Sequence, residues 1–229
     1  MSIKYVLING TVISGVASIS DCALSIDDQG NIEDVFRMRR FDPDQFDDSI
    51  TKIIDVKGAY ITPGLIDTHL HGIGGYGTED CSPESILGMS EALADNGVTS
   101  FLPTVYTDSL DKMLASTRAI VAAMGKEKGA IIEGINLEGP FISPERIGAQ
   151  SPDGLQSVSL DVFNQLYEAG EGHIVAMTVA PELKHMRTLA LEAQKRGIVL
   201  LAGHTNATYE NIMDGMQCGI LHTTHFFNA

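Results

Sequence analysis

The sequence predicts an α/β fold: a TIM-like (β/α)8 barrel carried to about six βα units, preceded by a small all-β segment. Three observations lead there. From residue 61 onward, strand-like apolar runs alternate with amphipathic helical repeats, the pattern of a parallel sheet with right-handed crossovers. Residues 1–60 hold only short β-branched runs and turn signals. Histidines or a glutamate stand at the ends of four of the six predicted strands, where a barrel gathers its site.

In chain order, residues 3–13 are rich in β-branched side chains. Ala23-Leu24-Ser25-Ile26 then meets the turn cluster Asp27-Asp28-Gln29-Gly30, and Ile32 to Phe36 follow, a hairpin signal. Residues 50–56 give another short strand. Residues 1–60 are therefore read as one domain and residues 61–229 as a second, barrel domain. Its first strand spans residues 61–71. Residues 83–96 form a helix, with Ile86, Met89 and Leu93 on one face and Gly97 as the stop. Residues 98–105 are a buried strand. Leu110, Met113, Leu114, Thr117, Ile120, Val121 and Met124 recur at helical spacing over residues 109–124. Strands at 131–137, 174–179, 198–202 and 221–227 then alternate with helices at 160–169, 183–196 and 209–217. A closed barrel needs eight strands and about 250 residues. Six strands read as a barrel about two units short, a C-terminally truncated chain whose open edges favour aggregation. An open six-stranded doubly wound sheet is the structural alternative.

Composition narrows the function classes. The 229 residues carry a net charge of −15, which argues against nonspecific nucleic-acid binding and against an anionic membrane surface. A small anionic substrate stays open, since a pocket can be locally positive. Cys22, Cys81 and Cys218 are odd in number and lack CxxC spacing, which suits a reducing cytoplasm. The start of the chain has no signal-peptide pattern, and no apolar run approaches the ~18–20 residues of a membrane span.

His69 and His71 end the first strand two residues apart, so they share a face and can converge on one metal ion. An isolated His-x-His is weak. It gains force from Glu138 at the end of the third strand, His204 at the end of the fifth and His225 on the sixth. Neutral imidazole and carboxylate suit zinc or ferrous iron. Glu138 could bridge two ions, so one or two metals fit. Metal-activated water would then attack an amide or ester carbonyl. The glycines at 72–77 form no dinucleotide fingerprint.

Residues 63–72, 137–144, 203–207 and 224–229 resemble the amidohydrolase superfamily and, more closely, the N-acetylglucosamine-6-phosphate deacetylase family. The resemblance runs in order over nearly the whole chain. It implies metal-dependent removal of acetate from N-acetylglucosamine 6-phosphate or a related sugar such as N-acetylgalactosamine 6-phosphate. It also implies a β-sandwich built from both chain ends, and a homodimer. Glu138, His204 and His225 match the family's core metal ligands. His69 and His71 match the pair that some members use for a second ion. Asn228 and Ala229 match a turn whose backbone helps hold the sugar phosphate. Gln150 stands where the family usually has a substrate-contacting histidine, and it cannot be protonated. The family's catalytic aspartate and phosphate-binding arginine would fall past Ala229, so no catalytic residue is expected within this chain. A cyclic amidase, deaminase or dipeptidase is a first alternative. Many cyclic amidases use a carbamylated lysine, however, and no lysine lies between Gly129 and Lys184. A non-catalytic metal-binding relative is a second.

Among the remaining candidates, His222, His173 and His185 read as packing or surface histidines. Asp67 could support the site or serve structure. Thr205 and Asn206 shape the loop after His204, and Glu182 begins the next helix. Glu145 and Arg146 lie in a loop, residues 139–157, long enough to serve as a lid or to face substrate.

Overall fold

The computed structural model describes residues 2–228 and divides into two units, Met1–Gly64 and Leu65–Ala229. In the first, strands β1 (Ile3–Ile13), β2 (Ser18–Asp27), β3 (Ile32–Arg37), β4 (Lys52–Asp55) and β5 (Tyr60–Ile61) form one mixed sheet. The hairpin signal holds: β2 and β3 pair antiparallel, and the Asp27 carboxylate accepts the backbone N–H groups of Gln29 and Asn31 in the turn. Tyr60–Ile61 pairs with β1, so the boundary falls after Gly64 rather than at residue 60. This unit supplies a single sheet, where the resemblance implies part of a sandwich.

The second unit opens with β6 (Leu65–Leu70) and a small hairpin, β7 (Gly72–Ile73) and β8 (Tyr76–Gly77), where the sequence predicts only loop. Then follow α1 (Pro83–Ala94), β9 (Val98–Val105), α2 (Leu110–Ala123), β10 (Ile131–Ile132) and β11 (Ile135–Glu138). The chain continues through α3 (Leu160–Ala169), β12 (Ile174–Val179), α4 (Met186–Lys195), β13 (Val199–Ala202), α5 (Tyr209–Gln217) and β14 (Ile220–Thr223). Side-chain caps start the helices where expected: Ser82 Oγ accepts from Ser85 N–H, and Ser159 Oγ from Val162 N–H.

Apart from the small hairpin, every strand pair in this unit is parallel. β9 pairs β6 on one side and the broken strand β10–β11 on the other, and β12, β13 and β14 follow in order. The helices seal one face. Ile86, Met89, Phe101, Ile120, Leu137, Phe163, Met177 and Leu189 are fully buried between layers. Burial of each such side chain contributes roughly 1.5–3 kcal/mol.

Whether the sheet is flat or curled is settled by its outermost strands. Five inter-strand steps would part β6 from β14 by about 24 Å in a flat sheet. The rings of His69 on β6 and His225 just past β14 are 5.6 Å apart, centroid to centroid. Thr224 Oγ1 lies 3.0 Å from His69 Nδ1. The sheet is therefore curled, a partial parallel barrel, and the open doubly wound alternative is excluded.

Three sequence expectations are corrected. The strand expected at 131–137 is interrupted at Glu133-Gly134, with Gly134 at φ +159°. The helix expected from residue 183 begins at Met186, because His185 sits at φ +70° and Glu182 is engaged elsewhere. The last strand ends at Thr223, because the chain turns through positive φ at His225 and Phe227.

Candidate metal centre

Glu138 is the last residue of β11 and its side chain is 2% exposed. Four imidazoles reach it. His204 Nε2 lies 3.0 Å from Oε1, His225 Nε2 2.7 Å and His69 Nε2 3.4 Å. His71 Nε2 lies 2.9 Å from Oε2. His204 Nε2 and His225 Nε2 are 3.1 Å apart. His69, Glu138 and His225 offer donor atoms that all lie within 4.8 Å of one another. The candidate ligands Glu138, His204, His225, His69 and His71 are thus brought to one point by four strand ends.

The far side of each ring is also engaged. Nδ1 of His71 donates to the Thr104 carbonyl at 2.9 Å, Nδ1 of His204 to the Arg146 carbonyl at 3.1 Å, and Nδ1 of His225 to the Asn228 carbonyl at 3.0 Å. Carbonyl oxygens only accept, so each of these Nδ1 atoms carries the proton. A neutral ring then presents a bare lone pair at Nε2. Three such lone pairs aimed at a carboxylate, two of them 3.1 Å apart, repel unless a cation lies among them. The donor set fits a divalent metal on that ground.

Burial pushes the Glu138 carboxyl up, but hydrogen bonds from His204, His69, His71 and His225 outweigh it and hold the group far below the usual carboxylate range. For His204, burial works against the charged form. The hydrogen bond and charge of Glu138, with the backbone at Arg146 and Ile147, prevail and raise it above its ordinary 6.5.

The backbone around the cluster is strained where it must be. His204 sits at φ +47° and His225 at φ +23°, a region costly for side chains of this kind, about 1–3 kcal/mol each. Gly139, directly after Glu138, has φ +101°, and a Cβ there would lie 2.0 Å from Thr107 Oγ1.

Gln150 is buried. Its Nε2 donates to Glu138 Oε2 at 2.5 Å, and its Oε1 accepts from Thr107 N–H at 2.7 Å. Asn228 lies beside His225, to which its carbonyl is bonded, and its own N–H donates back to the His225 carbonyl at 2.8 Å. Ala229 lies outside the described residues. Asp67 accepts the His69 backbone N–H at 3.0 Å, which fixes the strand end. Glu182 accepts from Thr205 Oγ1 and from Asn206 N–H, and Glu145 accepts from Asn206 Nδ2, so three carboxylate or amide groups brace the loop after His204. Loop 139–157 is tied down: Ser143 N–H donates to the His204 carbonyl, Ala180 N–H to Phe141, and Ser151 N–H to Thr107. His222 is exposed.

Sequence reasoning missed the end of the second barrel strand. Tyr106 stacks on His71 at 3.6 Å between centroids and 10° between planes. The Thr104 carbonyl accepts from His71 Nδ1, and Thr107 Oγ1 donates to the Glu138 carbonyl at 2.6 Å. The available signal was position alone, since all three residues stand at or just past a strand end at the ligand-bearing face.

An amidohydrolase family model matches residues 60–229. The chain is 35% identical over 173 residues to N-acetylglucosamine-6-phosphate deacetylase of Bacillus subtilis (strain 168), covering 74% of this chain and 44% of that one. It is 31% identical over 227 residues to the deacetylase of the same name from Haemophilus influenzae, covering 99% and 57%. The crystal structure of N-acetylglucosamine-6-phosphate deacetylase from Pasteurella multocida matches with a TM-score of 0.86 at 25% identity, covering 98% of this chain and 57% of that one. The Mycobacterium smegmatis enzyme in complex with N-acetyl-D-glucosamine-6-phosphate matches with a TM-score of 0.82 at 26% identity, covering 100% and 56%. The chain spans about half the length of the curated relatives it matches. Among the described residues no helix is long and apolar enough to cross a membrane. With its curled parallel sheet, its histidine–glutamate cluster and a family match over residues 60–229, this chain belongs to the amidohydrolase family.

Proposed function

We propose that the protein carrying this chain is a metal-dependent hydrolase of the acetamide of N-acetylglucosamine 6-phosphate, releasing acetate and glucosamine 6-phosphate. One observation carries the reading: four imidazole Nε2 atoms turn toward one buried carboxylate while at least three of the rings commit Nδ1 to a backbone carbonyl. The names of the relatives supply the substrate.

Glu138, His204 and His225 would hold the primary ion, with His69 and His71 available to a second. Zinc or iron suits the donor set. When bound, the ion polarises the amide carbonyl and lowers the pKa of water. The chain's own residues do the rest of their work in advance. The carbonyls of Thr104, Arg146 and Asn228 fix the tautomers, so no ring has to turn or lose Nδ1–H when the site fills. Asn228 stands next to the cluster, in the turn that the resemblance assigns to the sugar phosphate. The resemblance implies an aspartate as the proton acceptor. We further infer a homodimeric cytoplasmic enzyme of amino-sugar catabolism.

The test expresses the protein from its complete open reading frame and follows acetate release from N-acetylglucosamine 6-phosphate with and without a chelator. Chelator-sensitive release supports the proposal. A metal-loaded protein that releases no acetate from this sugar overturns it.

A further inference from the structure

We propose that Gln150 is a positioning residue for Glu138 and not a substrate contact. The inference rests on the metal-centre reading above. Gln150 is 7% exposed and both ends of its carboxamide are in use. Thr107 N–H can only donate, so the atom facing it at 2.7 Å is Oε1, and the NH2 group is thereby turned to Glu138 Oε2 at 2.5 Å. The amide orientation follows from the backbone.

Thr107 also grips Glu138 from behind, its hydroxyl donating to the Glu138 carbonyl at 2.6 Å. The glutamate is thus clamped at its backbone by Thr107 and at its carboxylate by Gln150, which Thr107 itself orients. The clamp sorts the two carboxylate oxygens. Oε2 takes Gln150 and His71, while Oε1 faces His69, His204 and His225. Once the imidazole lone pairs turn to a cation, the Gln150 N–H is the neutral donor still holding the carboxylate in place. Turning Gln150 toward a ligand would strand the N–H of Thr107, a buried residue, and take from Glu138 Oε2 one of its two partners.

Gln150→Met keeps the length of the side chain and removes both bonds. Zinc affinity is read by chelator competition without substrate, and KM for N-acetylglucosamine 6-phosphate is read at saturating zinc. Positioning predicts zinc binding weaker by about 10- to 100-fold with KM within about twofold of wild type. Unchanged zinc affinity with a raised KM overturns the proposal in favour of a substrate contact. If Gln150→Met fails to melt cooperatively, Gln150→Ala decides by the same two readouts, with a smaller loss because water can enter the space. A wild-type protein that binds no zinc overturns the metal-centre reading together with this inference. A wild type that binds zinc no better than a folded variant overturns this inference alone.

Discussion

A Cβ placed on Gly203 would lie 2.1 Å from Cγ2 of Thr224, and the hydroxyl of that threonine lies 3.0 Å from His69 Nδ1. The close approach of the Thr224 side chain to Gly203, just past β13, therefore helps set the place of a histidine on the far edge of the sheet. Gly203→Ala forces Thr224 aside and overpacks a buried site. It is expected to cost about 1–3 kcal/mol in urea unfolding and to weaken metal binding through His69. An unchanged midpoint would show that the strand ends accommodate the methyl group.

Glu138→Gln replaces a carboxylate shared by four imidazoles with a neutral amide of the same shape. The expected result is loss of metal binding by more than about 100-fold, since the variant lacks both a ligand and the charge that draws the cation. Equilibrium dialysis against graded zinc checks it.

Tyr106→Ala removes the ring that lies 3.6 Å from His71. His71 then keeps its bond to the Thr104 carbonyl and its contact with Glu138 Oε2 but loses the ring that packs against its face. A second ion that uses His71 should weaken by about tenfold while the primary ion is retained. Calorimetric titration, which separates the two sites by affinity, provides the check.

Metal uptake should release protons. His204 in the metal-free protein holds its proton above its ordinary 6.5, and a metal can bind only the deprotonated ring. The contribution of protonated His204 to metal-free stability is full below about 6.5 and is lost as pH rises through the raised folded value. Titration in two buffers of different ionisation enthalpy should therefore show proton release at pH 7 that shrinks toward zero at higher pH. Release that grows with pH would contradict the assignment.

Much of this was legible in the sequence, and the parts that were not share a cause. Periodicity revealed the helix at Leu110–Ala123 because its apolar face is continuous. The gathering of His69, His71, Glu138, His204 and His225 was legible because barrel topology brings strand ends together, whatever the distance along the chain. The start of α4 was misread, since a left-handed His185 and an engaged Glu182 are tertiary effects on an otherwise helical pattern. The place of Gln150 beside Glu138 was not legible. Its bonds to Thr107 and Glu138 depend on the path of loop 139–157, which no local pattern encodes.

The central claim is that Glu138 and the histidines around it form a metal centre. Its most direct test is anomalous diffraction at the zinc edge from crystals of the zinc-loaded protein. A peak is expected within bonding distance of Glu138 Oε1, His204 Nε2 and His225 Nε2. Density free of any anomalous peak there, or a peak held by other residues, would contradict it.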